Sequence, residues 1–497
     1  MPFMPAHNEP CPDAAATSAG LKKLVVAVVT VVGFALLTYA VPLLGRFRPL
    51  VAGESFPVWR LFDQGWDESF PVFAEAAAFT GGVSTQRGQA VAALGEVVTA
   101  SLDETETAGR ERENLAEATE PGGDHGARGE GKERVAPEEI EGVEQPIEDA
   151  GGAVLAPFYE ALRRTARGEA GAITRIAHYG DSAVASDVIT HTVRKSLQQR
   201  FGDAGHGFVL VARGSMHYRH RGVRHRASDD WEVFYIVKRS LGRKGHYGYG
   251  GVQYRGRAGA NAYFATAKDG TVGTRVSRFE IFFQRYKRGG DLRIRVDGRK
   301  VKSLSTRGEP SIDAWETITV PDGAHEFSIR VGRRGVVRLY GVALERDVPG
   351  VVYDSLGLVG GRAERLLNSG VEHMKRQLAH RDPDLVVLAF GGNESGNRWL
   401  DLDRYHRELT QVVKLMRGGR RLPCLLFAPL DQAERDQRGK AKTLPKLPGI
   451  VAVQRRVAGE QKCAFYDTFT AMGGEGSIWR WYRSRPRLAT ADFPHAT

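Results

Sequence analysis

Cysteine is scarce in this chain: three residues in 497, Cys11, Cys424 and Cys463. That excludes a cysteine-rich metal cluster and a disulfide-framework fold. Cys424 and Cys463 both fall in apolar, strand-like runs and read as buried thiols rather than a disulfide. Helix-turn-helix, zinc-finger and RRM patterns are missing as well, so the formal charge of +11 does not lead to a nucleic-acid partner. Long apolar runs are absent with one exception. From Leu24 to Leu44 the sequence LVVAVVTVVGFALLTYAVPLL carries no charge, and it has the length that spans a bilayer. A cleaved leader would have a shorter apolar region and a small-x-small site, for which only Thr38-Tyr39-Ala40 offers a weak match. The run therefore reads as an uncleaved anchor, with residues 1–23 before it. Lys22 and Lys23 precede it while Arg46 and Arg48 follow, so flanking charge leaves its orientation open.

Charge is unevenly distributed. Residues 103–149 hold 16 acidic and 5 basic side chains, a local net of −11, so the remainder carries +22. Residues 45–102 form a juxtamembrane segment with aromatic and Ala-rich stretches such as FPVWRLF. Residues 103–152 are rich in Glu, Gly and Ala and nearly lack aromatics, which leaves too little apolar surface to build a core. They read as a disordered acidic linker holding the folded part off the membrane. The basic surplus of the remainder either attracts polyanions, an anionic glycan in preference to DNA, or is an ordinary solvated surface.

Folding resumes near Leu155. Ile173 to Gly180 (ITRIAHYG) is an apolar, β-branched run that ends in Asp181-Ser182, followed by the helix-like SDVITHTVRKSLQQRF. A serine at a strand-turn-helix junction is either an N-cap or a nucleophile whose oxyanion the free N–H groups of the helix start can hold. Gly350 to Leu358 (GVVYDSLGL) predicts a second strand, ending in Val359-Gly360-Gly361. Asp384 to Phe390 (DLVVLAF) predicts a third, ending in Gly391-Gly392-Asn393-Glu394. In an open α/β sheet the carboxyl ends of strands line one crevice, so Ser182, Gly360 and Asn393 are expected to converge there. Taken singly, Gly360 also reads as a helix-start glycine and Asn393 as a turn residue. CLLFAP from Cys424 and CAFYDTF from Cys463 complete five parallel strands. Asp492-Phe493-Pro494-His495 places a histidine three residues after an aspartate on one turn, where the carboxylate can orient and electrostatically support it as the base a serine needs. His178, inside the first strand, reads as packing.

In this order, HYGDS, GLVGG, GGNE and DFPH resemble the four signature blocks of the SGNH (GDSL-like) serine hydrolases over about residues 155–211 and 350–497. The resemblance implies a three-layer α/β/α flavodoxin-like domain at 153–211 and 350–497. Ser182 would be its nucleophile, His495 its base and Asp492 the partner of that base. The N–H groups of Ser182 and Gly360 and the Asn393 amide would form its oxyanion hole, with neither metal nor organic cofactor. Glu394 stands where the family commonly has Asp, and Ala183 where it has Leu; neither departure touches the implied chemistry. The family leads one to expect a helix after the histidine, where this sequence ends at Thr497.

Residues 212–349 are too long for a crossover and must form a domain of their own. Segments such as RFEIFFQRY, DLRIRVDGRKV and ETITVPDGAHEFSIRVG alternate apolar and polar residues between Gly and Asp-Gly turns, the pattern of an antiparallel β-sandwich. An insertion at this point is similar to the carbohydrate-binding-like module of peptidoglycan O-acetylesterase-type members. Between Arg213 and Asp347 lie 28 basic and 14 acidic residues, a balance suited to a carboxylate-bearing glycan. Tyr247, Tyr249, Tyr254 and Trp231 read as core aromatics before sugar platforms. The expectation is an extracytoplasmic esterase, anchored by one helix, that removes O-acyl groups, O-acetyl first, from an acylated polysaccharide or peptidoglycan. An O-acetyltransferase using the same triad, and a non-catalytic glycan-binding protein, are the alternatives.

Overall fold

The computed structural model describes residues 144–238, 245–435, 441–485 and 487–490. The expected anchor at 24–44, the juxtamembrane segment, most of the acidic linker, Asp492 and His495 lie outside the described residues. Among the described residues no helix is long and apolar enough to cross a membrane.

Five apolar runs form one parallel sheet: β1 (Ile173–Gly180), β2 (Gly350–Gly357), β3 (Leu385–Ala389), β4 (Cys424–Phe427) and β5 (Ala464–Tyr466). Their order across the sheet is β2-β1-β3-β4-β5, and every neighbouring pair is parallel. This is the flavodoxin-like order, whose strand sequence reverses between β1 and β3. Every residue of β2 is buried, as a strand covered on both faces requires. On one face α1 (Ala156–Ala166) and α3 (Val188–Phe201) pack through Phe158, Leu162, Leu197 and Phe201 against Ile176 and Val351. On the other face α4 (Val371–Arg381), α6 (Leu402–Met416) and α7 (Leu447–Gln461) bring Leu378, Leu409 and Ile450 onto Val386 and Leu426. Between α4 and α6 lies the short α5 (Gly392–Ser395).

Two expectations need correction. Cys424 and Cys463 are joined in a disulfide, with Cα atoms 4.8 Å apart. They begin or precede the adjacent strands β4 and β5, and that neighbourhood is set by topology, not by local sequence. The acidic linker also ends before residue 152. Glu148 exchanges two backbone hydrogen bonds with Phe465 of β5, and the Asp149 carboxylate accepts the N–H groups of Val154 and Leu155 at 2.9 and 3.0 Å, fixing the approach to α1.

The insertion is two packed antiparallel sheets. One orders Ile312–Gly323, Val276–Arg285, Val337–Glu345, Val252–Gly256 and Trp231–Tyr235, with Gly207–Leu210 also paired to Val337–Glu345. The other orders Arg224–Ala227, Asn261–Ala265, Glu326–Val331, Asp291–Val296 and Arg299–Ser305. The sandwich thus begins at Gly207 rather than after residue 211. Tyr247, Tyr249, Tyr254 and Trp231 are buried in its core.

A buried charge cluster joins the sandwich to the parallel sheet. Arg381, at the end of α4, makes a bidentate pair with Asp354 of β2 at 2.7 and 2.8 Å and also reaches Glu345, the last residue of a sandwich strand. Asp354 further accepts the Phe208 N–H at 2.7 Å and the Tyr249 hydroxyl at 3.0 Å. Glu345 further receives Arg278 and Arg175. Surrounding guanidinium groups hold the Glu345 carboxyl far below the usual carboxylate range against the opposing cost of its burial. Arg381→Met, which strands two buried carboxylates, is expected to cost about 3–5 kcal/mol. Urea unfolding would check this, and a loss below about 1 kcal/mol would show that the cluster does not hold the two parts together.

Candidate active site

The carboxyl ends of β1, β2 and β3 are tied to one another by backbone groups. Gly180 O accepts the Leu358 N–H at 2.8 Å, and the Asp181 N–H reaches Ala389 O at 3.3 Å. Gly180 is obligatory there, because a Cβ on it would lie 2.3 Å from Val184 Cγ2 and 2.7 Å from Ala389 O. From that crossing the chain turns directly into α2 (Ser182–Ala185). The Asp181 carboxylate caps this helix by accepting the Ala183 N–H at 3.0 Å, and Ser182 occupies its first position, half-buried.

The second and third blocks close around this serine turn. Leu358 to Gly361 is a tight turn in which Gly361 N–H donates to Leu358 O at 2.8 Å and Gly360 takes φ +70°. Gly360 is exposed, and its N–H donates to no acceptor among the described residues. Asn393, on α5, donates an Nδ2 hydrogen to Gly361 O at 2.8 Å. Gly392 lies so close to Asp181 that a Cβ on it would sit 2.9 Å from Asp181 Oδ2. Neighbours of Ser182, Gly360 and Asn393 are thus in direct contact, although more than two hundred residues separate the first and last of them. The convergence falls beside β1 and β3, at the reversal of strand order where open α/β sheets bind ligands. Asp492 and His495 are not among the residues placed; the last described segment anchors Ala489, buried against Met472 and Ile478.

This fold has a near relative in shape. The solved structure of a peptidoglycan O-acetylesterase matches 70% of this chain and 92% of its own length at 22% identity, with a TM-score of 0.58. The chain shares the fold of that solved esterase structure. Lower-scoring matches are a lipase/acylhydrolase from Enterococcus faecalis (18% identity, 30% of this chain, 68% of that one, TM-score 0.23) and a family two carbohydrate esterase from Cellvibrio japonicus (12%, 49%, 88%, TM-score 0.20). No family model and no curated protein matches the sequence.

Three residues near the crevice carry no signal of their place in the sequence alone. Glu394 is buried under the site. One carboxyl oxygen accepts the Ala363 N–H at 2.8 Å and the other the Gly391 N–H at 3.1 Å, so one side chain ties the second block to the third. Its departure from the commoner Asp therefore bears on the site's framework after all. Gln432, after β4, accepts the Ser395 hydroxyl at 3.0 Å and lies against Gly392. Trp399, in the loop after α5, is 92% exposed, and its loop is held by Asn397 Oδ1 to the Trp399 N–H at 3.1 Å. Its exposure is what marks this indole, and sequence does not report exposure.

His246, Asp313 and His373 offer ligand atoms within 4.8 Å of one another. The donor set does not suit a cation. Asp313 already receives His373 Nδ1 at 2.9 Å, the Tyr340 hydroxyl at 3.1 Å and Arg376 at 3.2 Å, and His373 Nε2 accepts the Gly248 N–H at 2.8 Å. The cluster is a hydrogen-bonded clasp between α4 and the sandwich. His178 Nδ1 meets the Tyr353 hydroxyl at 2.6 Å inside the sheet, and burial pushes its pKa down to about 3, so it stays neutral and structural.

Burial pushes the Glu394 carboxyl up to about 8, with the charges of Asp181 and Glu364 adding to the rise. A carboxyl whose folded pKa exceeds its unfolded one gives full stability below the unfolded value and loses it as pH climbs through about 8. Glu394→Gln is expected to be less stable at pH 5 by about 1–2 kcal/mol, because one of the two N–H groups loses its acceptor. That deficit should shrink as pH rises from 5 to about 8 and stay level above it. Melting temperatures of both proteins across this range give the check, and parallel curves would mean that Glu394 does not titrate there.

Proposed function

We propose that the chain is an SGNH-type serine esterase acting on O-acyl esters of a polysaccharide, with O-acetyl groups of a cell-wall or extracellular glycan as the preferred substrate. The observation that carries this reading is the crevice itself, where Ser182 starts a helix beside the unengaged Gly360 N–H and the Asn393 amide. An amide nitrogen has two hydrogens, and Gly361 O takes one, which leaves the other for an oxyanion.

In this mechanism Ser182 Oγ attacks the ester carbonyl while His495, oriented by Asp492, takes its proton. Negative charge on the carbonyl oxygen is received by the N–H groups of Ser182 and Gly360 and by Asn393 Nδ2. Collapse expels the sugar hydroxyl, protonated by His495, and water then attacks the acyl-serine to release the acid. The likeness in shape to a peptidoglycan O-acetylesterase and the exposed Trp399 indole, a surface on which a sugar ring can stack, support a glycan substrate.

Acetate release from p-nitrophenyl acetate and from an O-acetylated glycan tests the reading. Ser182→Ala is expected to abolish release, and Asn393→Ala to lower kcat by about 10²–10³ with little change in KM. Release undiminished in Ser182→Ala sinks the esterase reading. Acetyl groups appearing on an added glycan instead of as free acetate would make the protein a transferase working with the same residues.

We also propose that the folded part lies outside the cytoplasm, tethered by the 24–44 run. The Cys424–Cys463 disulfide supports this placement, since such bonds persist in oxidising compartments and are rare in the cytosol. Alkylation in intact cells is the check: both cysteines are expected to react only after reduction, and free thiols in untreated cells would refute it.

A further inference from the structure

The second sheet of the sandwich turns one face to its core and the other to solvent. Along Asp291–Val296, Leu292, Ile294 and Val296 are buried, whereas Arg293 and Arg295 are exposed. The neighbouring strand repeats this, with Phe327, Ile329 and Val331 buried and Arg330 exposed. Register places Arg330 directly opposite Arg293, and Arg295 directly opposite Lys300. Like charges directly opposed across strands destabilise a sheet. No carboxylate among the described residues pairs with Arg330, Arg293 or Lys300, and Arg295 is engaged only with Gly298 O. Arg293, Arg295 and Lys300 also line a cleft of about 560 Å³ together with Arg333 and Arg334, with Asp291 as its one acidic lining residue.

A folded domain that keeps two repelling pairs side by side on an exposed face lacks its counter-charge. Cross-strand and alternate-residue spacings set the four cations on a grid of about 5 Å by about 7 Å. Such a grid suits a chain that carries one anion at each sugar ring. We infer that this face binds a carboxylate-bearing polysaccharide. This rests on the polysaccharide reading of the crevice for the kind of polymer, while the charge geometry stands without it.

The test is binding of the full-length protein to polygalacturonate, with neutral dextran and duplex DNA as comparators. Polygalacturonate is expected to bind at least tenfold more tightly than either, and the affinity should fall as salt is raised. In the double variant Arg330→Glu and Lys300→Glu, both opposed pairs become attractive. Its melting temperature is expected to rise while its affinity for polygalacturonate falls at least tenfold, a combination that misfolding cannot produce. Hydrolysis of p-nitrophenyl acetate should stay as in the parent. Unchanged affinity in the double variant overturns the inference, and so does equal affinity for DNA or dextran. Binding without any esterase activity would refute the proposed function and leave this face standing.

Discussion

Two buried carboxylates and one buried guanidinium govern how this molecule holds together. Asp354 belongs to the parallel sheet, Glu345 to the sandwich, and Arg381 to the helix that packs between them. Three charges taken out of water are tolerable only when each is met by others, and here Arg175, Arg278, the Phe208 N–H and the Tyr249 hydroxyl complete the set. Such a cluster has few alternative arrangements, because any relative sliding of the two sheets would strand a charge. The clasp of Asp313, His373 and Arg376 repeats this logic about one to two helical turns earlier on the same helix. Helix α4 thus acts as a spine to which both sheets are fastened.

The crevice depends on a second kind of precision, supplied by backbone groups. Three strand ends meet through carbonyl and N–H contacts, and Glu394 closes the gap beneath them with both carboxyl oxygens. Oxyanion donors work when fixed in advance, since a donor that must reorganise gives back part of its stabilisation. A left-handed turn fixes Gly360 and the Gly361 carbonyl fixes Asn393, which is what the proposed mechanism would require of its donors.

Much of this was legible in the chain. Runs such as ITRIAHYG and DLVVLAF announce buried parallel strands through their β-branched residues, and the turn residues that follow mark the crevice. Alternation in DLRIRVDGRKV announces an exposed sandwich face. What was not legible depends on pairings between distant segments. Nothing near Cys424 says that Cys463 will be its neighbour; only the adjacency of β4 and β5 decides it. Glu394 looked like a neutral exchange for Asp because its two acceptor roles involve a residue thirty-one positions away and one three away. The carboxylate partners of Arg381 sit twenty-seven and thirty-six positions upstream of it.

The sandwich interrupts the connection between β1 and β2, which are hydrogen-bonded neighbours. Its first strand, Gly207–Leu210, pairs antiparallel with its last, Val337–Glu345, so the chain leaves the inserted domain beside the point where it entered. Once that pair forms, the rest of the insertion is a closed excursion that neither threads nor stretches the parent sheet. For β1 and β2 the separation that matters in the search for each other is then not the full sequence distance but the short path through the paired stem. A parallel sheet can in this way carry a large module at its edge and still assemble as though the two strands were joined by an ordinary crossover.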